Sequence, residues 1–251
     1  MVTLPTKKTQ RSFDYRKFTH FIYGAPKVGK TTFASGLGKK PLFLDCEQSS
    51  EHLDRFTIPI NAWADFEDAV GQLISEPHDF DVVVVDTVDR LRDLCLQAVF
   101  KRLGARSVND PGFTRGFAGY QLLKQWFTTQ IQALKAFDGF SLVMVGHEKT
   151  IEKKPNGDVI GMLDKYNGPR VECVVPSLSS SLSSFVCGQS DIVGRAYMEG
   201  IKRCLTVATQ EGALTGTRSD ALPQAPFELS SETYVGFFRD AYQKANKDTS
   251  A

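Results

Sequence analysis

Between residues 17 and 147 short, nearly continuous apolar runs alternate with longer segments of helical spacing. The runs are "KFTHFIYG", "KPLFLDCE", "DFDVVVVDT" and "FSLVMVGH". Four consecutive valines between aspartates leave no polar face, which predicts a central parallel strand covered on both sides. "KTTFASGLGKK" predicts a short helix ending near Gly38. "NAWADFEDAVGQLISE" sets Phe66, Val70, Leu73 and Ile74 on one helical face, with Asp65 or Asn61 as the cap. "VDRLRDLCLQAVFKRLG" reads as an amphipathic helix stopping at Gly104, and "YQLLKQWFTTQIQALKAF" as another. The stretch between them, "ARSVNDPGFTRGFAG", reads as a loop rich in Gly and Arg. Strand and helix in alternation predict an α/β fold: a mainly parallel central sheet flanked by helices.

After His147 the pattern changes. "TIEKKPNGDVIGML" predicts a hairpin around Asn156-Gly157, a pair suited to a type I′ turn. "PSLSSSLSSFVCG" fits a short helix or a serine-rich loop, and "DIVGRAYMEGIKRCLTVAT" two antiparallel strands meeting at Glu199-Gly200. "SSETYVGFFRDAYQKA" predicts a closing helix capped by Ser230 or Ser231, with Glu232 in its first turn. There is no internal repeat and no second apolar core. The expected organisation is a flexible basic arm over residues 1–15, one domain over 16–245 and a tail over 246–251.

Composition narrows the class. Of 251 residues, 41% are hydrophobic and 24% charged, which is ordinary for a globular chain. The net charge of +1 gives no general affinity for nucleic acid, so only local clusters of charge bear on that. The five cysteines form no C-x-x-C pair, which predicts buried free thiols in a reducing compartment rather than disulfides or zinc. No apolar run reaches the ~20 residues of a membrane span, and the N-terminus lacks the apolar core of a secretory signal. A cytoplasmic protein is expected, with no membrane partner.

One short motif carries specific chemistry. "GAPKVGKTT" sets Gly24, Gly29, Lys30 and Thr31 at the spacing G-x-x-x-x-G-K-[ST], after a predicted strand and at the start of a predicted helix. Average composition produces this match in on the order of one sequence of this length in a hundred. Glycines let successive N–H groups turn toward one anion, and the helix N-terminus points at the same place. Gly24, Ala25, Pro26, Lys27, Val28, Gly29, Lys30, Thr31 and Thr32 are therefore the expected nucleotide-binding residues. Lys30 reaches the β- and γ-phosphates, and the Thr31 hydroxyl takes a place on Mg²⁺.

The acids follow from strand ends. Asp86 closes "DVVVVD", where a carboxylate beside such a loop holds the metal. The next residue is Thr87, so a second acid on that strand is missing. Glu47, just past "PLFLD", is the expected general base for water. Asp45 is expected to support the loop, and Asp89 either favours the helix start or takes part in the site. His147 ends "LVMVGH" and is the candidate sensor of the γ-phosphate.

These motifs, in this order, resemble the RecA/RadA superfamily. "GAPKVGKTT" is similar to its Walker A loop, "PLFLDCE" to the strand with the catalytic glutamate, "DVVVVDTVDRL" to Walker B and "LVMVGHEK" to the sensor strand. The chain more narrowly resembles phage-encoded nucleotide-binding proteins of RecA-like type, linked to single-strand annealing and recombination. "TRSDALP" is similar to their late segment, so the likeness spans residues 17 to 225, while "SLSSSLSS" departs from it. The resemblance implies a RecA-like P-loop core and a Mg²⁺-dependent, DNA-stimulated ATPase in the host cytoplasm. It also implies a homo-oligomeric ring or filament, single-stranded DNA as ligand, and a single-stranded-DNA-binding protein as partner.

The resemblance further implies two mobile DNA-facing loops, and the chain has a candidate for each. Residues 101 to 120 hold Lys101, Arg102, Arg106 and Arg115 against Asp110, with Phe113 and Phe117 among them. A second segment holds Lys149, Lys153, Lys154, Lys165 and Arg170, offset by Glu148, Glu152, Asp158 and Asp164. Cations neutralise phosphates and aromatics stack on unpaired bases, which makes Arg106, Phe113, Arg115, Lys149, Lys153 and Lys154 the DNA-binding candidates. Sites of this kind also take a cation from a neighbouring subunit; Arg170, Lys149, Arg195 and Arg218 are candidates. Two other classes fit the same loop: a nucleotide or small-molecule kinase with residues 101 to 120 as lid, and an ATP-controlled loader or switch with little hydrolysis.

Overall fold

The computed structural model describes residues 4, 6, 12–48, 54–161, 164, 166–209 and 212–249. Lys7, Lys8, Arg11 and Lys165 lie outside them. The first half runs β1 (His20–Gly24), α1 (Lys30–Ser35), β2 (Pro41–Asp45), β3 (Phe56–Pro59), α2 (Trp63–Ser75), β4 (Val82–Asp86) and α3 (Val88–Leu103). Then come α4 (Pro111–Thr114), α5 (Ala118–Ala136), β5 (Ser141–Lys153), β6 (Val171–Pro176) and α6 (Ser180–Gln189). The chain closes with β7 (Ile192–Glu199), β8 (Lys202–Thr206), β9 (Gly216–Thr217), β10 (Phe227–Glu228) and α7 (Ser231–Thr249).

The sheet order is β10-β8-β7-β1-β5-β4-β2-β3, with β6 on β5 and β9 on β7. From β7 to β3 every pairing is parallel, while β8, β9, β10 and β6 add antiparallel edges. This is the mainly parallel α/β fold, with antiparallel C-terminal strands, that the periodicity predicts. Val82, Val83, Val84 and Val85 are all fully buried. Val83 and Val85 meet α2, α3 and α5 through Phe66, Leu91 and Phe127, while Val82 and Val84 meet α1 and α7 through Phe33, Tyr234 and Phe238. Each such side chain contributes about 1.5–3 kcal/mol of transfer free energy, which explains why this strand carries no polar face.

Several expectations change. α1 stops at Ser35, before Gly38, with Gly36 as its cap. Ala62 rather than Asn61 or Asp65 caps α2, while the Asp65 carboxylate accepts from the Asn61 and Ala62 N–H groups. The serine-rich stretch is the helix α6. The hairpin after His147 has its tip at Gly157, but β5 continues through Lys153 and pairs mainly with β6. The arm ends earlier than residue 15, because Tyr15 packs against Phe238 and its hydroxyl accepts from the Gly38 N–H. The tail is not separate either: α7 runs to Thr249, with no Gly or Pro after Gly236 to stop it. All five cysteines are free thiols, with Cys187 half-buried and the others buried. No described helix is long and apolar enough to cross a membrane.

One residue of this framework with chemical character is His20, fully buried on β1 with its Nε2 unpartnered. Burial pushes its pKa down from 6.5 to about 4. The unfolded chain therefore binds a proton that the fold rejects. Stability tied to neutral His20 is full above pH 6.5 and lost as pH falls toward about 4, by about 3 kcal/mol in all. Urea melts of His20→Leu across that window are expected to lose less stability on acidification than wild type. Equal slopes would refute the assignment.

Candidate active site

The C-terminal ends of the parallel strands bring the motifs to one edge. Gly24 is in register with His147, and Asp45 with Asp86. Open α/β sheets bind ligands in the crevice at this edge. β1 ends at Gly24, where a Cβ would come within 2.0 Å of the Ala196 carbonyl oxygen. Gly29 precedes α1 at φ 103°, a left-handed geometry that a side chain strongly disfavours. Lys30 therefore begins a helix whose free N–H groups face the crevice.

Lys30 is only 5% exposed, and its ammonium donates to the carbonyls of Gly24 (3.0 Å) and Ala25 (2.7 Å). Burial lowers its pKa, against the opposing pull of Asp86, Asp89 and Glu47. The Thr31 hydroxyl donates to Asp86 Oδ2 at 2.8 Å. Asp86 is buried, and desolvation pushes its carboxyl up to about 6 against the Thr31 hydrogen bond and the charge of Arg55. Two hard oxygen donors side by side suit Mg²⁺, so the pair predicted from the motif is brought together.

Asp45 supports the turn after β2 by accepting from the N–H groups of Glu47 (3.1 Å) and Gln48 (2.8 Å). Glu47 projects back toward β4, where the Thr87 hydroxyl donates to its Oε1 at 2.8 Å. The position that lacks an acid thus supplies the hydroxyl that aims one from the next strand. His147 Nδ1 lies 2.7 Å from Asp89 Oδ2 and 3.5 Å from Glu47 Oε1. The His147 N–H also donates to Asp89. This side-chain hydrogen bond raises the His147 pKa, and the bonds from His147 lower that of Asp89 although burial opposes them. Asp89 thus holds both places read for it, in the first turn of α3 and against His147 in the site.

Lys30, Thr31, Glu47, Asp86, Thr87 and His147 line one cavity of about 450 Å³, together with Pro26, Lys27, Gly29, Thr32 and Arg203. Two further cations were not foreseen, Arg55 behind the acids and Arg203 in the lining. The Arg55 side chain is 2% exposed, lies 3.6 Å from Asp45 and 3.9 Å from Asp86, and covers the Phe43 ring at 4.0 Å. Arg203 reaches the loop from β8, and nothing in the local pattern "KRCLT" marks it.

The DNA-facing candidates divide. Arg106 and Arg115 are exposed, and Phe117 is 70% exposed at φ 60°. Phe113 is a correction: it is 0% exposed, edge-on to Phe100 and Tyr120, because α4 turns it inward against Gly119. In the second segment the Lys149 ammonium donates to the Leu178 carbonyl and Lys154 pairs with Asp164 at 3.6 Å, while Lys153 is half-buried. The candidates for a cation lent to a neighbour are all engaged within their own chain: Lys149 with Leu178, Arg170 with Glu152, Arg195 with Glu148 and Arg218 with Asp191.

Residues 16–219 match the family described as AAA domain. The SPbeta prophage-derived uncharacterized protein YorG of Bacillus subtilis (strain 168) is 26% identical over 147 residues, covering 55% of this chain and 44% of that one. The chain thus spans less than half the length of that relative. Among solved structures, the crystal structure of the RadB recombinase aligns with 76% of this chain and 80% of its own at 12% identity and a TM-score of 0.43.

Proposed function

This chain belongs to the AAA domain family, and on that premise we propose that it is a Mg²⁺-dependent ATPase that acts on single-stranded DNA. The observation that carries the reading is the meeting of Lys30, Thr31, Glu47, Asp86 and His147 around one glycine loop. Thr31 and Asp86 hold the metal, which neutralises charge on the phosphates when bound. Lys30 gives up its loop carbonyls for phosphate oxygens. Glu47 takes a proton from a water as its oxygen bonds to the γ-phosphorus and the bond to ADP breaks. His147, held in place by Asp89, faces the γ-phosphate and reports its loss along β5, which runs on without a break into the second basic segment. A homo-oligomer, as ring or filament on the strand, and a single-stranded-DNA-binding protein as companion belong to the same reading.

The DNA part rests on Phe117 and its neighbours. A bulky residue in the left-handed region costs of order 1–3 kcal/mol, and here the exposed Phe117 follows the exposed Arg115 by two residues. Stacking one base on such a ring contributes about 1–3 kcal/mol. The test is ATP turnover at low salt with and without single-stranded DNA. Stimulation by DNA is expected, and Phe117→Gly is expected to bind DNA roughly 5- to 100-fold more weakly while melting at an equal or higher temperature. Turnover indifferent to DNA would remove the DNA part and leave the ATPase. ADP formation that depends on a small-molecule acceptor would instead identify a kinase.

A further inference from the structure

We propose that Arg203 grips the phosphate chain of the nucleotide in cis, on the flank of the glycine loop away from Glu47. The inference rests on the nucleotide reading above and assigns the part of the ligand that this side chain holds.

The sheet order fixes the flank. β1, which feeds the loop, has β5, β4 and β2 on one side and β7 and β8 on the other. His147, Asp86 and Glu47 come from the first side, and Arg203 from the second. The nucleotide must run across the loop between them, with its γ-phosphate at the acids and its earlier phosphates toward β8. Arg203 is already against that path. The point a Cβ would occupy on Gly29 lies 3.4 Å from Arg203 Cδ and 3.4 Å from its Nη1. Arg203 lines the same cavity as Lys30 and Thr31.

Its charge is uncommitted and its backbone is fixed. Among the described residues no ion pair holds Arg203, whereas Arg170, Arg195 and Arg218 each face a carboxylate. β8 is paired on both sides, with Met198 opposite Arg203 on β7 and the Leu229 N–H donating to the Arg203 carbonyl at 2.9 Å. A guanidinium on a paired strand is aimed with less entropic cost than one on a free loop, and its planar fork suits phosphate oxygens. A further cation is favourable there, because Glu47 and Asp86 share the cavity with a ligand that is itself strongly anionic.

A contact before the scissile bond is made equally to ATP and ADP. Arg203→Ala is therefore expected to weaken both, by roughly 10- to 100-fold in Kd and KM, with kcat within about threefold of wild type. Arg203→Lys keeps the charge without the fork and is expected to fall between. ADP and ATP binding by calorimetry, with melting temperatures as a control for folding, provide the readout. Unchanged ADP affinity with a fallen kcat would place Arg203 at the γ-phosphate and overturn the proposal, as would unchanged affinity for both. Failure of the wild type to bind either nucleotide would sink the nucleotide reading itself, and the proposal with it. Mixing Arg203→Ala with Lys30→Ala chains separates cis from trans action. No recovery of the wild-type KM is expected, because both residues serve one site in one chain. Recovery in the mixture would mean that Arg203 serves a neighbour.

Discussion

Glu47→Gln is expected to bind Mg·ATP as tightly as the wild type and to turn it over roughly a hundred- to ten-thousand-fold more slowly. The exchange is nearly isosteric, so the Thr87 hydroxyl still donates to the side-chain oxygen that replaces Oε1. Only the ability to accept a proton from water is removed. His147 is the other candidate base in reach, and its surroundings argue against it. Its Nδ1 is taken by Asp89, and that contact raises its pKa, so it holds its proton over more of the neutral range. A ring whose Nδ1 is engaged and whose pKa is raised is better suited to face a negative phosphate than to take a proton from water. Single-turnover hydrolysis and equilibrium binding, measured on the same preparation, separate the two effects. A Glu47→Gln enzyme with wild-type turnover would sink the assignment and move the base elsewhere. Loss of binding with turnover would show that Glu47 holds structure rather than water.

The part of this site that was legible in the sequence is the part encoded by adjacent residues. Gly24, Gly29, Lys30 and Thr31 are defined by a spacing, and Asp86 by the end of a run of valines. Each needs only its own strand or loop to be recognised. Thr87, Asp89 and Arg55 are read only through contacts with a different strand: Thr87 with Glu47, Asp89 with His147, Arg55 with Asp45 and Asp86. Arg203 stands 173 positions after Lys30 and reaches the loop through the pairing of β8 on β7. The same distinction holds for the fold. β4 and β5 announce themselves through long apolar runs, whereas β3, β9 and β10 are two to four residues long and exist because a neighbouring edge is open to them. Phe113 and Phe117 show the limit of composition. They occupy one Gly- and Arg-rich stretch, and a single turn of helix buries one and exposes the other.

Lys30→Ala is expected to abolish nucleotide binding while leaving the empty protein as stable as the wild type, or more so. In wild type, nucleotide at a hundred times its Kd stabilises the fold by about 2.7 kcal/mol. For a chain of this length that is a rise of roughly 5–10 °C in melting temperature. The variant is expected to show none of it, at any Mg·ATP concentration the wild type responds to. The direction of the change in the empty protein follows from burial. The Lys30 ammonium is held out of water with two loop carbonyls as its hydrogen-bond partners, and its lowered pKa records the cost of keeping it charged there. Alanine removes that cost, improves the start of α1, and leaves the two carbonyls facing an open cavity that water can fill. The loop thus keeps a charge that disfavours the empty fold because phosphate oxygens replace the carbonyls when the nucleotide arrives. A Lys30→Ala protein that melts well below wild type without nucleotide would mean that the ammonium holds the loop together. A nucleotide-dependent rise that survives the substitution would mean that this loop is not where the phosphates sit.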